Sequence, residues 1–163
     1  MDVEHTYAVV CTSEEETHHL GLLLGQALEP GDMVGFTGPL GAGKTRIIRA
    51  IAEGTRVLQG TVVNSPTFTI LNVYDTPDFP VFHLDLYRLC GTDDLESIGL
   101  PDMLGGDGVL LVEWFDNFPD GFPADHLHVL IEITGQGQRQ FIFTACGPAS
   151  KELLAELAVA HQN

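Results

Sequence analysis

The spacing of apolar residues divides the chain into helical and strand segments. Tyr7 to Cys11 is predicted to be a strand, and Ser13 with Glu16 three residues later has the spacing of a capping box that opens a helix. Apolar residues then recur at helical spacing and predict one buried stripe, in a helix that ends at Pro30-Gly31: Leu20, Leu23, Leu24, Ala27 and Leu28.

The next segments alternate between strand and helix. Asp32 to Thr37 is a short apolar strand, and the helix after it presents an apolar face until Gly54 stops it. Thr69 to Asp75 and Val81 to Tyr87 are rich in β-branched and aromatic residues on either side of a proline-containing turn, which predicts a hairpin. In its second strand, period-two spacing places His83 on the same face as Asp85.

The last third predicts further strands and helices. Thr92 would cap a short helix, and a glycine-rich turn from Gly105 to Gly108 leads into Val109 to Val112, an apolar run typical of a strand buried on both faces. A second hairpin and a final helix complete the chain, with the inward-facing and capping residues Leu127, Val129, Ile131, Ile133, Phe141, Phe143 and Ser150. The pattern predicts a single α/β domain over residues 1–163, with a mixed parallel and antiparallel sheet.

One glycine-rich stretch carries candidate chemistry. Gly38 to Thr45 (GPLGAGKT) fits the phosphate-binding loop pattern and stands between a predicted strand and a predicted helix, as that pattern requires. The glycines let backbone N–H groups approach a phosphate chain, and the helix dipole favours the same anion. Lys44 would reach the β and γ phosphates, and the Thr45 hydroxyl would hold a bridging Mg²⁺ ion. The alternative is a glycine-rich turn with an exposed lysine.

Charge narrows the set of partners. The 163 residues include 7 basic and 23 acidic side chains, a formal net charge of -16. Such a surface repels nucleic acid, so any function that involves RNA would use another subunit for the contact. The acidic surface could simply keep the protein soluble, or it could reflect a high-salt habitat.

Cysteine usage and hydropathy indicate the compartment. Cys11, Cys90 and Cys146 are far apart and show no paired spacing of a zinc or redox site, so we expect small core residues in a reducing environment. We see no signal peptide and no apolar run that could span a bilayer, and we therefore expect a cytoplasmic protein.

Two carboxylates could supply the acidic partner that a phosphate loop needs. Glu113 follows the apolar run Val109 to Val112, and Asp85 lies in HLDLYR on a more amphipathic strand. One could bind the metal ion while the other positions an attacking water, although each could also be a solvated acid at a strand end.

The stretch Ser65-Pro66-Thr67-Phe68 lies between the loop helix and the first hairpin strand. At such a place a mobile segment can offer the Thr67 hydroxyl to Mg²⁺ or to a γ-phosphate, so that nucleotide state changes its order. An ordinary loop is the alternative.

Aromatic and histidine residues raise two more possibilities. Trp114 follows Glu113 and could stack near the site or belong to the core. His126 and His128 share a strand face near Glu132, which would suit a metal cluster, but a face that alternates cleanly with an apolar one is typical of a wet strand surface.

In this order GPLGAGKT, SPTF, HLDLYR and LVEW strongly resemble the TsaE family, also called YjeE. Its members are small bacterial ATPases required for threonylcarbamoyladenosine modification of tRNA. The resemblance covers nearly the whole chain and implies an α/β phosphate-loop fold with a mixed sheet. The implied cofactors are ATP and Mg²⁺.

The resemblance also implies roles for individual residues. Thr45 and Glu113 would bind Mg²⁺, and Asp85 would be catalytic or would contact the metal through water. Lys44, Glu113 and Thr67 would also be catalytic, with Thr67 in a switch-like loop. The remaining implied nucleotide contacts comprise the loop, an adenine-side group around the first helix start, and two further side chains: Gly38, Pro39, Leu40, Gly41, Ala42, Gly43, Arg46, Thr12, Ser13, Thr17, Trp114 and Arg139.

The implied partners resemble TsaD and TsaB, whose complex makes the modified base while TsaE hydrolyses ATP. We expect tRNA to be contacted only through that complex, with no membrane and no direct DNA contact. The chain departs from many members at Pro39 and Arg46, and WFDNFPD lacks the basic residue that often follows the Glu-Trp pair. Positive charge for catalysis could instead come from Arg88, Arg139 or a partner subunit.

Two other classes of function fit the same loop. A small-molecule kinase surrounds the transferred phosphoryl group with several cations, whereas this chain has only five arginines. A nucleotide-gated binding module without hydrolysis needs no such cations. A GTPase is disfavoured because the chain has no Asn-Lys-x-Asp motif.

Overall fold

A central sheet is the element on which the helices pack, in a computed structural model that describes residues 5–89, 91, 93–97, 99–103 and 106–163. The strands are β1 (Thr6–Cys11), β2 (Met33–Thr37), β3 (Leu71–Tyr74), β4 (Val81–Asp85), β5 (Val109–Glu113), β6 (Leu127–Gly135) and β7 (Gln138–Ala145). The helices are α1 (Glu14–Ala27), α2 (Lys44–Gly54), α3 (Asp93–Ser97), α4 (Leu100–Met103) and α5 (Pro148–Gln162), with 3₁₀ turns at Phe115–Asn117 and Pro119–Gly121.

Within the described residues the seven strands form one sheet in the order β1-β7-β6-β2-β5-β4-β3. The four central strands are parallel: β2 lies between β5 and β6, and β4 pairs with β5. Antiparallel pairs extend the sheet at both edges, β3 with β4 on one side and β6, β7 and β1 on the other. The predicted α/β fold with a mixed sheet is therefore confirmed, and both predicted hairpins are present.

Strand β5 shows why the sheet has a core on each face. Val109 and Leu111 belong to the larger core, which includes buried residues of α1, α2 and α5. Leu110 and Val112 belong to a second core on the opposite face, which includes residues of α4 and the 3₁₀ turns. The continuous apolar run follows from this double burial.

Helices α1 and α2 cross at unusually close range, and glycine permits the approach. A Cβ atom at Gly25 would lie 2.1 Å from the Ile51 carbonyl oxygen, and one at Gly54 would lie 2.4 Å from the Leu22 carbonyl oxygen. At Gly21 an added Cβ would lie 2.5 Å from the Ala50 Cβ. Gly21 and Gly25 therefore form the contact itself rather than interrupting an apolar stripe.

Capping at the two long terminal helices differs from the prediction in part. The Ser13 hydroxyl accepts the Glu16 N–H at 3.1 Å, which confirms Ser13 as the N-cap of α1. The Glu16 carboxylate accepts the N–H of Thr12 at 2.6 Å, one residue before the capping-box position. The prediction for Ser150 is wrong, because the N-cap of α5 is Gly147 and Ser150 lies inside the helix.

Three other details differ from expectation. Helix α1 ends at Ala27, before Pro30, because Leu28 is already extended. Ile133 is 49% exposed, since β6 and β7 extend past the core near their turn. Cys146 is exposed, whereas Cys11 is buried as expected. The expectations for Thr92, Cys90 and Gly105 lie outside the described residues.

Candidate functional site

The loop predicted to bind phosphate connects the end of β2 to the start of α2. Gly38 has φ 154° and Gly43, the N-cap of α2, has φ 106°, a left-handed conformation that favours glycine. At Gly38 a Cβ atom would also lie 2.7 Å from the Ile131 carbonyl oxygen. The sequence therefore needs glycine here to bring the loop against β6 and turn it into a helix N-terminus, where N–H groups and the dipole favour an anion.

Lys44 lies under this loop. Its Nζ donates to the carbonyl oxygens of Gly38 at 2.6 Å and Pro39 at 3.0 Å, and lies 3.8 Å from the ring centroid of Trp114. Burial lowers the pKa of Lys44 from its ordinary value, although Glu113, Asp116 and Asp85 act in the opposite direction. Trp114 has φ 59°, so its unusual backbone conformation places the indole beside the lysine.

The two predicted carboxylates end adjacent parallel strands. Asp85 on β4 is the register partner of Glu113 on β5, and they are 2% and 3% exposed. The Thr45 hydroxyl, in the first turn of α2, donates to the Glu113 Oε1 and Oε2 atoms, at 2.9 and 3.1 Å. The carboxyl ends of the parallel strands and the helix N-terminus therefore meet at one point, as in other open α/β sheets.

Asp85 is held by the Ser65–Phe68 segment. Its Oδ2 atom accepts the Ser65 hydroxyl at 2.7 Å and the Thr67 hydroxyl at 3.1 Å. Its Oδ1 atom accepts the Tyr87 N–H at 2.9 Å. Two residues after the segment, the β-branched Ile70 has φ 70°, in the strained left-handed region.

A cleft of about 480 Å³ contains these groups. Its lining includes loop, carboxylate and segment residues together with two arginines of α2: Leu40, Gly41, Gly43, Lys44, Thr45, Arg46, Arg49, Ser65, Thr67, Asp85, Tyr87, Glu113 and Trp114. Phe68, which follows the lining residue Thr67 in the chain, is 84% exposed, with the Arg88 guanidinium 4.9 Å from its ring centroid.

A second cleft, of about 240 Å³, lies on the other side of the loop. Ser13, Thr17 and Arg139 line it with Gly41, Ala42 and Arg46, and the Arg139 Nε donates to the Ala42 carbonyl oxygen at 3.1 Å. The described residues that line this cleft do not include Thr12, whose hydroxyl contacts the Glu16 carboxylate. Of the three residues predicted on the adenine side, Ser13 and Thr17 thus lie next to the loop, as does Arg139, which was predicted only as a further nucleotide contact.

The family model for the Threonylcarbamoyl adenosine biosynthesis protein TsaE matches residues 11–141. The chain belongs to the TsaE family. A tRNA threonylcarbamoyladenosine biosynthesis protein TsaE from Bacillus subtilis (strain 168) is 38% identical over 149 residues, which cover 91% of each chain. One from Nostoc sp. is 31% identical, with 95% of this chain and 96% of the relative covered.

A solved structure has the same fold as this TsaE-family chain. The chain is similar to the crystal structure of Bacillus subtilis YdiB, with a TM-score of 0.82 and 32% sequence identity. The similarity covers 97% of both chains. The resemblance inferred from the four motifs is therefore confirmed, as is the fold that it implied.

Two residues of this TsaE-family chain hold parts of the site and were not predicted from the motifs. His83 contacts Glu113 from within the buried sheet, and Arg49 donates its Nε to the Val63 carbonyl oxygen at 3.1 Å, just before the Ser65–Phe68 segment. The position of His83 two residues before Asp85, on the same strand face, was the available signal. The sequence pattern around Arg49 gave no sign of its contact with Val63.

The two histidines that were considered as metal ligands, and disfavoured in that role, have other contacts. The His128 ring lies 2.9 Å from the Thr37 hydroxyl, whereas the His126 Nδ1 atom lies near the Pro123 carbonyl oxygen and Glu132 is exposed. Across the part of the chain that the structure describes, no three His, Cys, Asp or Glu side chains are grouped as metal ligands. No helix in that part is long and apolar enough to cross a membrane.

The oxygen set around Thr45 and Glu113 fits a hard divalent cation. One hydroxyl and one carboxylate, both partly enclosed and next to an anion-binding loop, are ligands that Mg²⁺ takes together with phosphate oxygens and water. The TsaE-family site can therefore accommodate an anionic phosphate chain and a metal ion side by side.

Proposed function

We propose that this chain binds ATP with Mg²⁺ in the larger cleft and hydrolyses it, and that hydrolysis supports threonylcarbamoyladenosine formation in tRNA. The observation that carries the proposal is the contact of the Thr45 hydroxyl with the Glu113 carboxylate at 2.9 and 3.1 Å, at the N-terminus of the helix that follows the glycine loop. Membership of the TsaE family supports the role in tRNA modification.

Each group has a role that follows from its position. The loop N–H groups and Lys44 would bind the phosphates, and Thr45 with Glu113 would hold Mg²⁺. A metal ion bound there neutralises charge on the phosphate oxygens. Ser13, Thr17 and Arg139 would contact the adenosine end of the nucleotide, because the smaller cleft adjoins the loop at Gly41 to Gly43.

Asp85 would orient the attacking water, and its surroundings favour slow hydrolysis by the chain alone. Its two oxygens accept three hydrogen bonds, from Ser65, Thr67 and the Tyr87 N–H. These bonds take up three of the roughly four acceptor positions of the carboxylate and fix its direction, which leaves it little freedom to orient a water or accept a proton. Movement of the Ser65–Phe68 segment would release Asp85, so proteins that contact this segment would control turnover.

We propose TsaD-like and TsaB-like proteins as those partners. The formal net charge of -16 opposes direct contact with tRNA, so the nucleic acid would be contacted through the partner subunits. The exposed side chain of Phe68, in the Ser65–Phe68 segment, would be accessible to such a partner.

The two lysines of the chain provide a matched test. Lys44→Ala removes the cation at the loop. We expect nucleotide affinity to fall roughly 10- to 100-fold, which corresponds to the free energy of one lost hydrogen bond to a charged group. Turnover should fall to background. Lys151→Ala removes an exposed lysine of α5 and should change neither quantity. Calorimetric ATP titration and phosphate release measure both.

Phosphate release should be measured with and without TsaD-like and TsaB-like subunits. Slow release that rises with the partners would support the proposal. Background release in both cases, with intact ATP binding, would instead indicate a nucleotide-gated binding module, and phosphoryl transfer to an added acceptor would indicate a kinase. Unchanged turnover in Lys44→Ala would exclude the loop from the reaction.

A further inference from the structure

A chain of buried hydrogen bonds extends inward from the proposed metal ligands. The Glu113 Oε2 atom lies 2.7 Å from the His83 Nε2 atom, and the His83 Nδ1 atom lies 2.8 Å from the Tyr74 hydroxyl. His83 is 0% exposed and Tyr74 is also buried. Together with Thr45, these residues connect the first turn of α2 to strands β5, β4 and β3.

The hydrogen-bond partners indicate the direction of each bond. The Tyr74 hydroxyl accepts a hydrogen bond from the Asn72 amide at 3.4 Å. Its single proton can be donated to the Asn64 carbonyl oxygen at 3.4 Å or to the His83 Nδ1 atom at 2.8 Å, and the shorter distance favours His83. Donation to the His83 Nδ1 leaves the ring proton of a neutral imidazole on Nε2, where it is donated to the Glu113 carboxylate. Every group in the chain then has a partner, with the Glu113 carboxylate as the final acceptor.

This arrangement determines how Glu113 is oriented. Among the described residues, its side chain bonds to Thr45 on one side and His83 on the other. The Thr45 hydroxyl lies within 3.1 Å of both carboxylate oxygens, whereas His83 contacts Oε2 alone. Loss of the His83 bond would leave the end of the side chain free to rotate about its last bond, because Thr45 can follow either oxygen.

We propose that His83 is a positioning residue that holds the Glu113 carboxylate in the orientation that binds Mg²⁺. Tyr74 supports it by fixing the imidazole tautomer, and contacts the Asn64 carbonyl oxygen at 3.4 Å, directly before the Ser65–Phe68 segment. The inference rests on the proposed Mg²⁺ site. Hydrogen-bonded groups behind a metal ligand are known to tune metal affinity in this way.

The test compares ADP affinity in saturating Mg²⁺ with ADP affinity in EDTA, and we call the ratio the magnesium gain. His83→Leu fills the space without a donor, and we expect the gain to fall about 10-fold or more while ADP affinity in EDTA stays within roughly twofold. Tyr74→Phe should lower the gain less, by about two- to fivefold, since the imidazole itself remains.

Two further variants separate positioning from general loss of structure. His83→Gln places an amide donor near the position of Nε2 and should keep the gain within roughly threefold of the original. Ser150→Ala disrupts a different buried polar group, bonded to Asp125, and should lower the melting temperature with no change in the gain. Calorimetry and thermal melting provide the readouts.

The outcomes distinguish this inference from the proposed function. If the ADP affinity of the original chain did not respond to Mg²⁺, the proposed metal site would be wrong, and so would the role of His83. A normal gain in the original chain that persists in folded His83→Leu would overturn the inference alone. Should His83→Leu fail to fold, an unchanged gain in Tyr74→Phe would overturn it.

Discussion

Glu113 and Asp85 are adjacent and almost equally buried, yet different kinds of structure hold them. Glu113 is bonded by Thr45 from a helix and by His83 from a central strand. Asp85 is bonded by Ser65 and Thr67, which precede β3 in an irregular segment. Regular elements in the core open far less readily than loops, so we expect Glu113 to be the fixed carboxylate and Asp85 the releasable one.

The largest expected effect is on the fixed carboxylate. Glu113→Gln removes the negative charge from the proposed Mg²⁺ site, and we expect the magnesium gain to disappear. Turnover should fall about 100-fold or more, a loss of about 2.7 kcal/mol or more of transition-state stabilisation. Asp85→Asn should retain the gain and lose turnover. Mg²⁺ titration of ADP binding measures the gain, and phosphate release measures turnover. If Glu113→Gln kept the gain and Asp85→Asn lost it, Asp85 would be the Mg²⁺ ligand instead of Glu113.

A smaller effect should separate the two regions by their dynamics. Ser65→Ala removes the 2.7 Å bond to Asp85, and the loss of one bond to a charged group should speed amide exchange in the Ser65–Phe68 segment about 10-fold. Exchange in β5 should not change. Thr69→Ala is the matched control, because the Thr69 hydroxyl contacts Asn72 rather than Asp85. Faster exchange in β5 as well would show that both carboxylates belong to one cooperative unit.

The smallest expected effect concerns His128, which contacts the end of β2 from the opposite neighbouring strand. Burial, with a smaller contribution from His126, lowers the pKa of His128 below its ordinary value of 6.5, although Asp116 raises it. The unfolded chain therefore binds a proton at higher pH than the folded chain. The free energy of unfolding should fall as pH drops through about 6.5, until the lower folded-state pKa is passed.

His128→Gln should flatten this part of the pH dependence and leave the magnesium gain unchanged. Urea denaturation across the interval from about pH 7.5 to about pH 5.5 provides the measurement. His126→Gln serves as the control and should retain most of the slope. An altered magnesium gain in His128→Gln would mean that the site extends further along the sheet than the two carboxylates.

The sequence predicted those features that depend on neighbouring residues in the chain. The run from Val109 to Glu113 has the composition of a strand buried on both faces, and the spacing of Ser13 and Glu16 marked the start of α1. The loop, SPTF, HLDLYR and LVEW motifs together identified the family and the groups that the structure places around one cleft.

Features that depend on distant parts of the chain were not predictable in this way. Ser150 looked like an N-cap, but Asp125 reaches α5 from before β6 and bonds the N–H groups of Ala149 and Ser150. The role of His83 depends on its contacts with β3 and β5. The role of Gly21 and Gly25 in α1 depends on their contact with α2, which the spacing of apolar residues along one helix does not reveal.

The close crossing of α1 and α2 has a mechanical consequence. Gly25 and Gly54 bring the two helices together with no room for side chains between them, so the helix start that carries Ser13 and Thr17 is locked to the helix that carries Lys44 and Thr45. We therefore expect these walls of the two clefts to move together. Closing of the site would then come from the opposite wall, the segment before β3 and the turn at Tyr87.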